Sequence, residues 1–270
     1  MPELPEVETV VRALKPQVLG RRIIAVRLNW PRHVDRPDLP EFRARISGLQ
    51  ILDVYRRAKF IVLTLDQGEN LIIHLRMSGH LAVVDPSISA DKHTHTVFKL
   101  DNGQELRFRD TRKFGRVYLV SDTNEVLGDL GPEPLDPSFT AESFKQLIEG
   151  RKRTLKPFLL DQRVLAGIGN IYADEALFYA AILPARRSDT LSAVEIETLY
   201  EGIQHVLNLG ILREGASISS YIKPDGEMGD MQNEVKVFRR TGQSCYRCGD
   251  QIERMVLGGR STHYCPGCQK

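Results

Sequence analysis

The chain has 270 residues, 41% of them hydrophobic, with 37 Lys and Arg against 35 Asp and Glu and a formal net charge of +2. That length suits two domains better than one, and the apolar fraction is ordinary for a chain that buries sizeable cores. No apolar run is long enough to cross a membrane and the acidic N-terminus lacks a signal-peptide pattern, so a cytoplasmic protein is expected.

The first stretch is Met1-Pro2-Glu3-Leu4-Pro5-Glu6. A small residue after the initiator usually permits removal of Met1, which would leave proline at the terminus. A terminal α-amine has a pKa of roughly 7.7–8.0, so a usable fraction is neutral near pH 7. A neutral secondary amine can attack an electrophilic carbon and form an imine-type intermediate, and Glu3 beside it could move protons for that attack. The plainer reading is a helix start, with Pro5 early in the helix and Glu6 and Glu8 favoured by the dipole. Residues 5–18 fit an amphipathic helix, because Val7, Val10, Val11, Leu14 and Val18 recur at helical spacing; Pro16 and Gly20 are expected to mark its end.

A β-rich region follows. Candidate strands cover 22–28, 49–55, 60–65, 71–76, 95–100, 105–109 and 116–120, with turn signals such as Asp66-Gln67-Gly68 and Asp101-Asn102-Gly103 between them. Many short strands at this spacing predict a sandwich or barrel, with the opening helix against it. Three places here could carry chemistry. Arg56-Arg57-Ala58-Lys59 is either an edge-strand charge cluster or a site that puts Lys59 beside a phosphate or sugar. Met77, in Arg76-Met77-Ser78-Gly79, and Phe114, in Asp110-Thr111-Arg112-Lys113-Phe114-Gly115, could wedge into a base stack, with Arg112 between them. The alternative is two hairpin tips whose apolar residues fold back on the core.

The proline- and glycine-rich stretch 128–137 is the best domain boundary, and helices are expected after it at 141–149, 155–162, 170–180 and 193–212. Arg151-Lys152-Arg153 with Lys156 forms a basic cluster suited to phosphates. The turn Ala166-Gly167-Ile168-Gly169-Asn170 opens a helix whose N-terminal amides could hold one. Residues 216–230 read as a mobile loop. In the tail, Cys245-Tyr246-Arg247-Cys248 and Cys265-Pro266-Gly267-Cys268 are the only cysteines, and sixteen residues separate the pairs. That spacing predicts one structural Zn2+ in a closed four-thiolate site that folds a hairpin rather than activating water. Residues 236–270 carry seven cations against two acids, and Arg260 stands on the glycine-flanked tip of the hairpin.

Taken together these blocks resemble the bacterial formamidopyrimidine-DNA glycosylase (MutM/Fpg) family. The resemblance runs from Pro2-Glu3-Leu4-Pro5-Glu6-Val7-Glu8-Thr9 to the zinc hairpin. Between them lie His74-Leu75-Arg76-Met77-Ser78-Gly79, Gly131-Pro132-Glu133-Pro134-Leu135, Gly167-Ile168-Gly169-Asn170-Ile171-Tyr172 and Met231-Gln232-Asn233-Glu234. It implies an α+β protein: an N-terminal helix on a β-sandwich (1–128), a linker (129–140), a helix-two-turn-helix domain (141–235) and a four-cysteine zinc finger (236–270). It also implies a base-excision-repair enzyme that removes oxidised purines from duplex DNA as a monomer and then cuts the strand. By motif, Pro2 is the nucleophile, Glu3 the acid that helps open the sugar, and Glu6 a supporting group. Lys59 serves β-elimination and Arg260 δ-elimination and phosphate binding. Met77, Arg112 and Phe114 fill the gap left by the flipped nucleotide. His93, Lys152 and Asn170 match DNA-contacting positions, joined by Lys156, and 216–230 corresponds to a lesion-capping loop. Thr111, Lys113, Thr94 and Phe238-Arg239 depart from the family pattern, which has Tyr-Gly at the last pair. The competing readings are an endonuclease VIII-like glycosylase for oxidised pyrimidines, a lapsed paralogue, and a non-catalytic zinc-ribbon DNA-binding protein.

Overall fold

The computed structural model describes residues 1–218 and 221–270. Helix α1 spans Leu4–Val18 and buries Val7, Val10, Val11, Leu14 and Val18 on one face, the stripe expected from their spacing. Pro16 lies inside the last turn rather than at its end. It is tolerated because it is exposed, where the carbonyl it leaves unbonded can meet water. The stop comes at Leu19 and Gly20, where Leu19 N bonds Lys15 O and Gly20 takes φ +78°.

Nine strands follow, interrupted by one short helix. In chain order they are β1 (Ile23–Leu28), β2 (Val34–Arg36), α2 (Leu39–Ile46), β3 (Ile51–Arg57), β4 (Phe60–Leu65), β5 (Asn70–His74), β6 (Gly79–Val84), β7 (Thr94–Leu100), β8 (Glu105–Asp110) and β9 (Arg116–Val120). They form two sheets, ordered β1-β7-β8-β6 and β2-β9-β5-β4-β3. All pairings are antiparallel except β2 with β9. Residues of both sheets share one core with α1 and α2, including Phe42, Ile61, Leu63, Ile73, Leu81, Phe98, Phe108 and Val117. Helix α1 contacts β3, β4 and β6.

Two strands and a helix go beyond the sequence expectations. Strand β2 is only three residues long, below what periodicity can register. Strand β6 follows the Met77 turn directly, and β5 stops at His74 because Arg76 turns left-handed, φ +54°. Helix α2 begins on a recognisable signal: Asp38 accepts the Glu41 N–H at 3.0 Å, with Pro40 in the first turn.

Contacts divide the chain into two units, residues 1–129 with 213–230, and residues 130–212 with 231–270. Residues 213–230, which the sequence placed within 141–235, pack in the first unit, where Tyr221 joins the sandwich core. The first unit also holds the short helix α3 (Asn124–Leu127).

The second unit contains α4 (Ala141–Ile148), α5 (Leu155–Leu160), α6 (Asn170–Tyr179), α7 (Ala193–Leu212) and the hairpin β10 (Glu253–Leu257) with β11 (Arg260–Tyr264). Helix α6 is its centre. Eight of its ten residues, Ile171 to Phe178, are buried, against α5, α7 and β11. Helix α7 comes close because of glycine: a Cβ on Gly210 would stand 2.5 Å from the Tyr172 ring, and one on Gly202 would stand 2.9 Å from the Tyr179 ring.

Candidate active site and nucleic-acid surface

The N-terminal turn of α1 is buried although it begins the chain. Pro2 is buried, and Glu3 and Glu6 are 3% and 1% exposed. Glu6, third residue of the helix, reaches back so that its Oε2 accepts the Glu3 N–H at 2.7 Å, as in a capping box. Its Oε1 accepts the Ala216 N–H at 2.8 Å. One carboxylate thus ties the terminal segment to the start of the 216–230 loop. Tyr221 packs beside it and donates its hydroxyl to Glu214 O at 3.2 Å. Burial first, and the Glu6 charge second, push the Tyr221 phenol up, so it stays a donor. Residues 219 and 220 of this loop lie outside the described residues.

Lys59 occupies the two-residue turn between β3 and β4, where Arg57 pairs with Phe60 and Ala58 takes φ +53°. It is 5% exposed. Arg56 straps this turn to α1: its Nε donates to Glu8 Oε2 at 3.0 Å and its Nη1 to Ala58 O at 3.2 Å. The structure therefore places the lysine turn beside α1, which carries Glu6 and directly follows Pro2 and Glu3.

His74 at the end of β5 stacks edge-on against Phe60 and is also buried. Its Nδ1 accepts the Arg76 N–H at 2.9 Å. Burial chiefly, then the Arg76 and Lys59 charges, push the ring down to about 3, so it is neutral near pH 7. No sequence signal singles out His74, because its burial arises only where β4 and β9 pair on either side of β5.

Met77, Arg112 and Phe114 stand on two adjacent tips. Met77 and Phe114 are 36% and 47% exposed, so neither folds back into the core. The Arg112 guanidinium lies over the Phe114 ring at 4.9 Å, a cation–π pair that presents the two as one body. Lys113 turns left-handed, φ +59°, and its ammonium covers the Trp30 ring at 4.2 Å. His93 is half-buried on the approach to β7, its backbone N–H held by Asp91 Oδ1 at 3.1 Å.

In the second unit, Lys152 is exposed in the basic stretch before α5, whereas its neighbour Arg153 pairs with Asp161 at 2.9 Å. Lys156 differs from the expected surface lysine. It is fully buried, its ammonium pairs with Asp174 and donates to Asn170 O at 3.0 Å. Asp174 also accepts from the His263 backbone N–H and Nδ1, each at 3.0 Å. Asn170 Nδ2 donates to Ser261 O at 2.9 Å, while its buried Oδ1 has no hydrogen-bond partner among the described residues. These bonds fasten β11 to the start of α6, so Asn170 and the hairpin tip are positioned together.

The tip itself is a tight turn in which Leu257 pairs with Arg260, and Gly258 and Gly259 take φ +55° and +74°. Two positive φ values in a two-residue turn are what glycine supplies without strain. Arg260 is exposed on this turn.

At the base of the hairpin the ligand atoms of Cys245, Cys248, Cys265 and Cys268 all lie within 4.8 Å of one another. The sulfurs of Cys245 and Cys268 are 3.8 Å apart, and those of Cys248 and Cys265 3.4 Å. A metal about 2.3 Å from four sulfurs at tetrahedral angles would separate them by roughly 3.8 Å, so the set fits one structural zinc. With four protein ligands no position is open for water, and the metal's part is to fold the hairpin.

Comparison with known proteins places the chain among DNA-repair glycosylases that carry a zinc finger. Residues 1–117 match the formamidopyrimidine-DNA glycosylase N-terminal domain, 130–221 the formamidopyrimidine-DNA glycosylase H2TH domain, and 242–270 the zinc finger found in FPG and IleRS. The chain belongs to the formamidopyrimidine-DNA glycosylase family. It is 48% identical over 272 residues to the formamidopyrimidine-DNA glycosylase of Herpetosiphon aurantiacus, and 46% over 273 to that of a Roseiflexus species, each covering all of both chains. Among solved structures it is similar to a Lactococcus lactis FPG mutant in complex with Fapy-dG containing DNA. The TM-score is 0.93 at 35% identity, covering all of both chains. It is also similar to MutM in complex with carbocyclic 8-oxo-G containing DNA, with a TM-score of 0.92 at 35% identity and the same coverage. Among the described residues, no helix is long and apolar enough to cross a membrane.

Proposed function

We propose that this glycosylase removes oxidised purines, 8-oxoguanine and formamidopyrimidines, from duplex DNA and then cleaves the strand. The observation that carries the reading is the buried terminal turn, in which Pro2 adjoins Glu3 and Glu6 holds the backbone between them and the 216–230 loop. Removal of Met1 would free the Pro2 nitrogen. That nitrogen attacks C1′ of the damaged nucleotide while the bond from C1′ to the base breaks and the base leaves with a proton. Glu3 protonates the ring oxygen as the sugar opens, giving an iminium between Pro2 and C1′. The iminium acidifies the C2′ proton; Lys59 takes part in its removal, and the 3′ phosphate leaves. A second elimination, assisted by Arg260, releases the 5′ phosphate. Addition of water to the iminium carbon and loss of the proline then regenerate the amine.

A base within a duplex is out of reach, and extruding it costs a few kcal/mol. Met77, Arg112 and Phe114 fill the vacated space and offset that cost. His93, Lys152 and Asn170 contact the DNA, and Lys156 acts through Asn170 from within the fold. The DNA bound in the solved relatives, containing Fapy-dG or carbocyclic 8-oxo-G, supports this preference. The protein works as a monomer on chromosomal DNA in the cytoplasm.

The test is borohydride trapping on a duplex with one 8-oxoguanine opposite cytosine, with the linked residue mapped by mass spectrometry. A covalent band at Pro2 is expected. Lesion-duplex binding without a band would sink the imine mechanism, and faster excision of thymine glycol than of 8-oxoguanine would overturn the substrate class.

A further inference from the structure

The void-filling residues sit on two separate turns, yet a wedge must be stiff to act on a base stack. A carboxylate outside the catalytic set, together with one hydroxyl, links the two turns. Asp110 ends β8 and lies in register with Gly79, the first residue of β6 after the Met77 turn. Its carboxylate is wholly buried. On Oδ1 it accepts the Ser78 hydroxyl and the Arg112 N–H, the latter at 3.2 Å; on Oδ2 it accepts the Gly115 N–H at 2.7 Å. Ser78 also accepts the Arg112 N–H at 3.1 Å, closing the network between the tips. The bonded backbone groups are those on either side of the Arg112–Phe114 pair, and the bonded hydroxyl is next to Met77.

The surroundings complete the clamp. The Phe108 ring backs both turns so closely that a Cβ on Gly79 or Gly115 would stand 2.7 or 2.4 Å from it. His33 stacks on Phe108 with ring centroids 4.4 Å apart and points Nε2 at Asp110 Oδ2 from 3.7 Å. His95 Nε2 lies 2.9 Å from the Asp110 carbonyl. Burial raises the Asp110 carboxyl, but the His33 ring and the Ser78, Gly115 and Arg112 donors outweigh it, so the group remains an anion. Hydrogen bonds to an ionised acceptor are about twice as strong as neutral ones.

We infer that Asp110, with Ser78, is a positioning residue for base extrusion: it locks the Met77 turn and the Arg112–Phe114 turn into one rigid wedge. This rests on the void-filling reading of those three side chains. It assigns a separate step to Asp110, since opening a stacked duplex needs the wedge held in place, whereas strand cleavage at a nucleotide that has already lost its base needs it far less.

The chemistry of the site selects the variants. Asp110→Asn keeps the shape but replaces one oxygen with an NH2, and because donors arrive at both oxygens, either orientation sets donor against donor. Ser78→Ala removes one donor and leaves the carboxylate buried, so it carries the test even where Asp110→Asn folds poorly. Single-turnover excision is measured on an 8-oxoguanine duplex and strand cleavage on a duplex with a preformed abasic site. A loss of about tenfold or more is expected on the lesion duplex for Asp110→Asn, a smaller one for Ser78→Ala, and on the abasic duplex about threefold or less. Phe114→Ala should cost less in the Asp110→Asn background than alone, because the wedge is already loose. Equal losses on both substrates, additive losses with Phe114→Ala, or unchanged excision by both variants would overturn the inference while leaving the function intact. Failure of the unmodified enzyme to excise 8-oxoguanine would remove the function, and this inference with it.

Discussion

His74 has a measurable signature in stability. An unfolded histidine titrates near 6.5, whereas the folded ring is pushed down to about 3. Between those values the unfolded chain binds the proton and the folded chain does not, so stability falls as pH drops from about 6.5 toward 3. His80 and His95 are also lowered, chiefly by burial, and act in the same direction. Urea denaturation at about pH 7.5 and pH 5, above most carboxylate titration, should show a lower midpoint in acid. His74→Gln should flatten part of that difference; an identical pH dependence in the variant would contradict the assignment. Arg239 teaches a different lesson. It stands where the family pattern has glycine and adopts φ +58°, so the backbone keeps a conformation that glycine would take more freely.

Among the elements, the pairing of α6 with α7 is the most exacting. Both glycines of α7 face α6, and the Cβ positions they leave empty are already filled by Tyr172 and Tyr179. Gly210→Ala gains about 1 kcal/mol of helix propensity but overpacks the contact at a cost of about 1–3 kcal/mol, for a net loss of about 0–2 kcal/mol. The shift in denaturant midpoint measures it, and a rise would mean the helices have room to separate. These elements were legible to different degrees. Helix α7 was expected at 193–212 and forms there, because its apolar pattern is long. Strand β2 and helix α2 are short, and propensity in so few residues is overridden by what they pack against. Lys156 read as a surface cation because charge normally stays wet; Asp174 and the Asn170 carbonyl, both on α6, are the partners that let it be buried.

At the scale of the whole chain the zinc hairpin and the DNA surface give two further expectations. The chain should bind one zinc, and chelation or Cys265→Ser should unfold the hairpin, because closed thiolate sites supply the folding energy of small modules. Metal analysis and circular dichroism read this, with DNA affinity falling alongside; a hairpin that stays ordered without metal would refute it. Affinity for duplex DNA should fall linearly in log–log form with salt, with a slope set by the phosphates contacted. A flat response would contradict a surface built on Lys152 and Arg260.

Sequence alone determined the features that are local or periodic. The α1 stripe, the helices after residue 140, the two Cys-x-x-Cys pairs and the motif order that marks the family all depend on residue spacing within one stretch of chain. Tertiary structure decided everything that requires distant segments to meet. It brought residues 213–230 back to the first unit, where Glu6 and the sandwich core receive them. It buried Lys156 against Asp174, and it joined Ser78 and Arg112 on the Asp110 carboxylate. The reason is physical: a buried polar group is stable only when specific partners satisfy it, and those partners come from parts of the chain whose proximity no local pattern encodes.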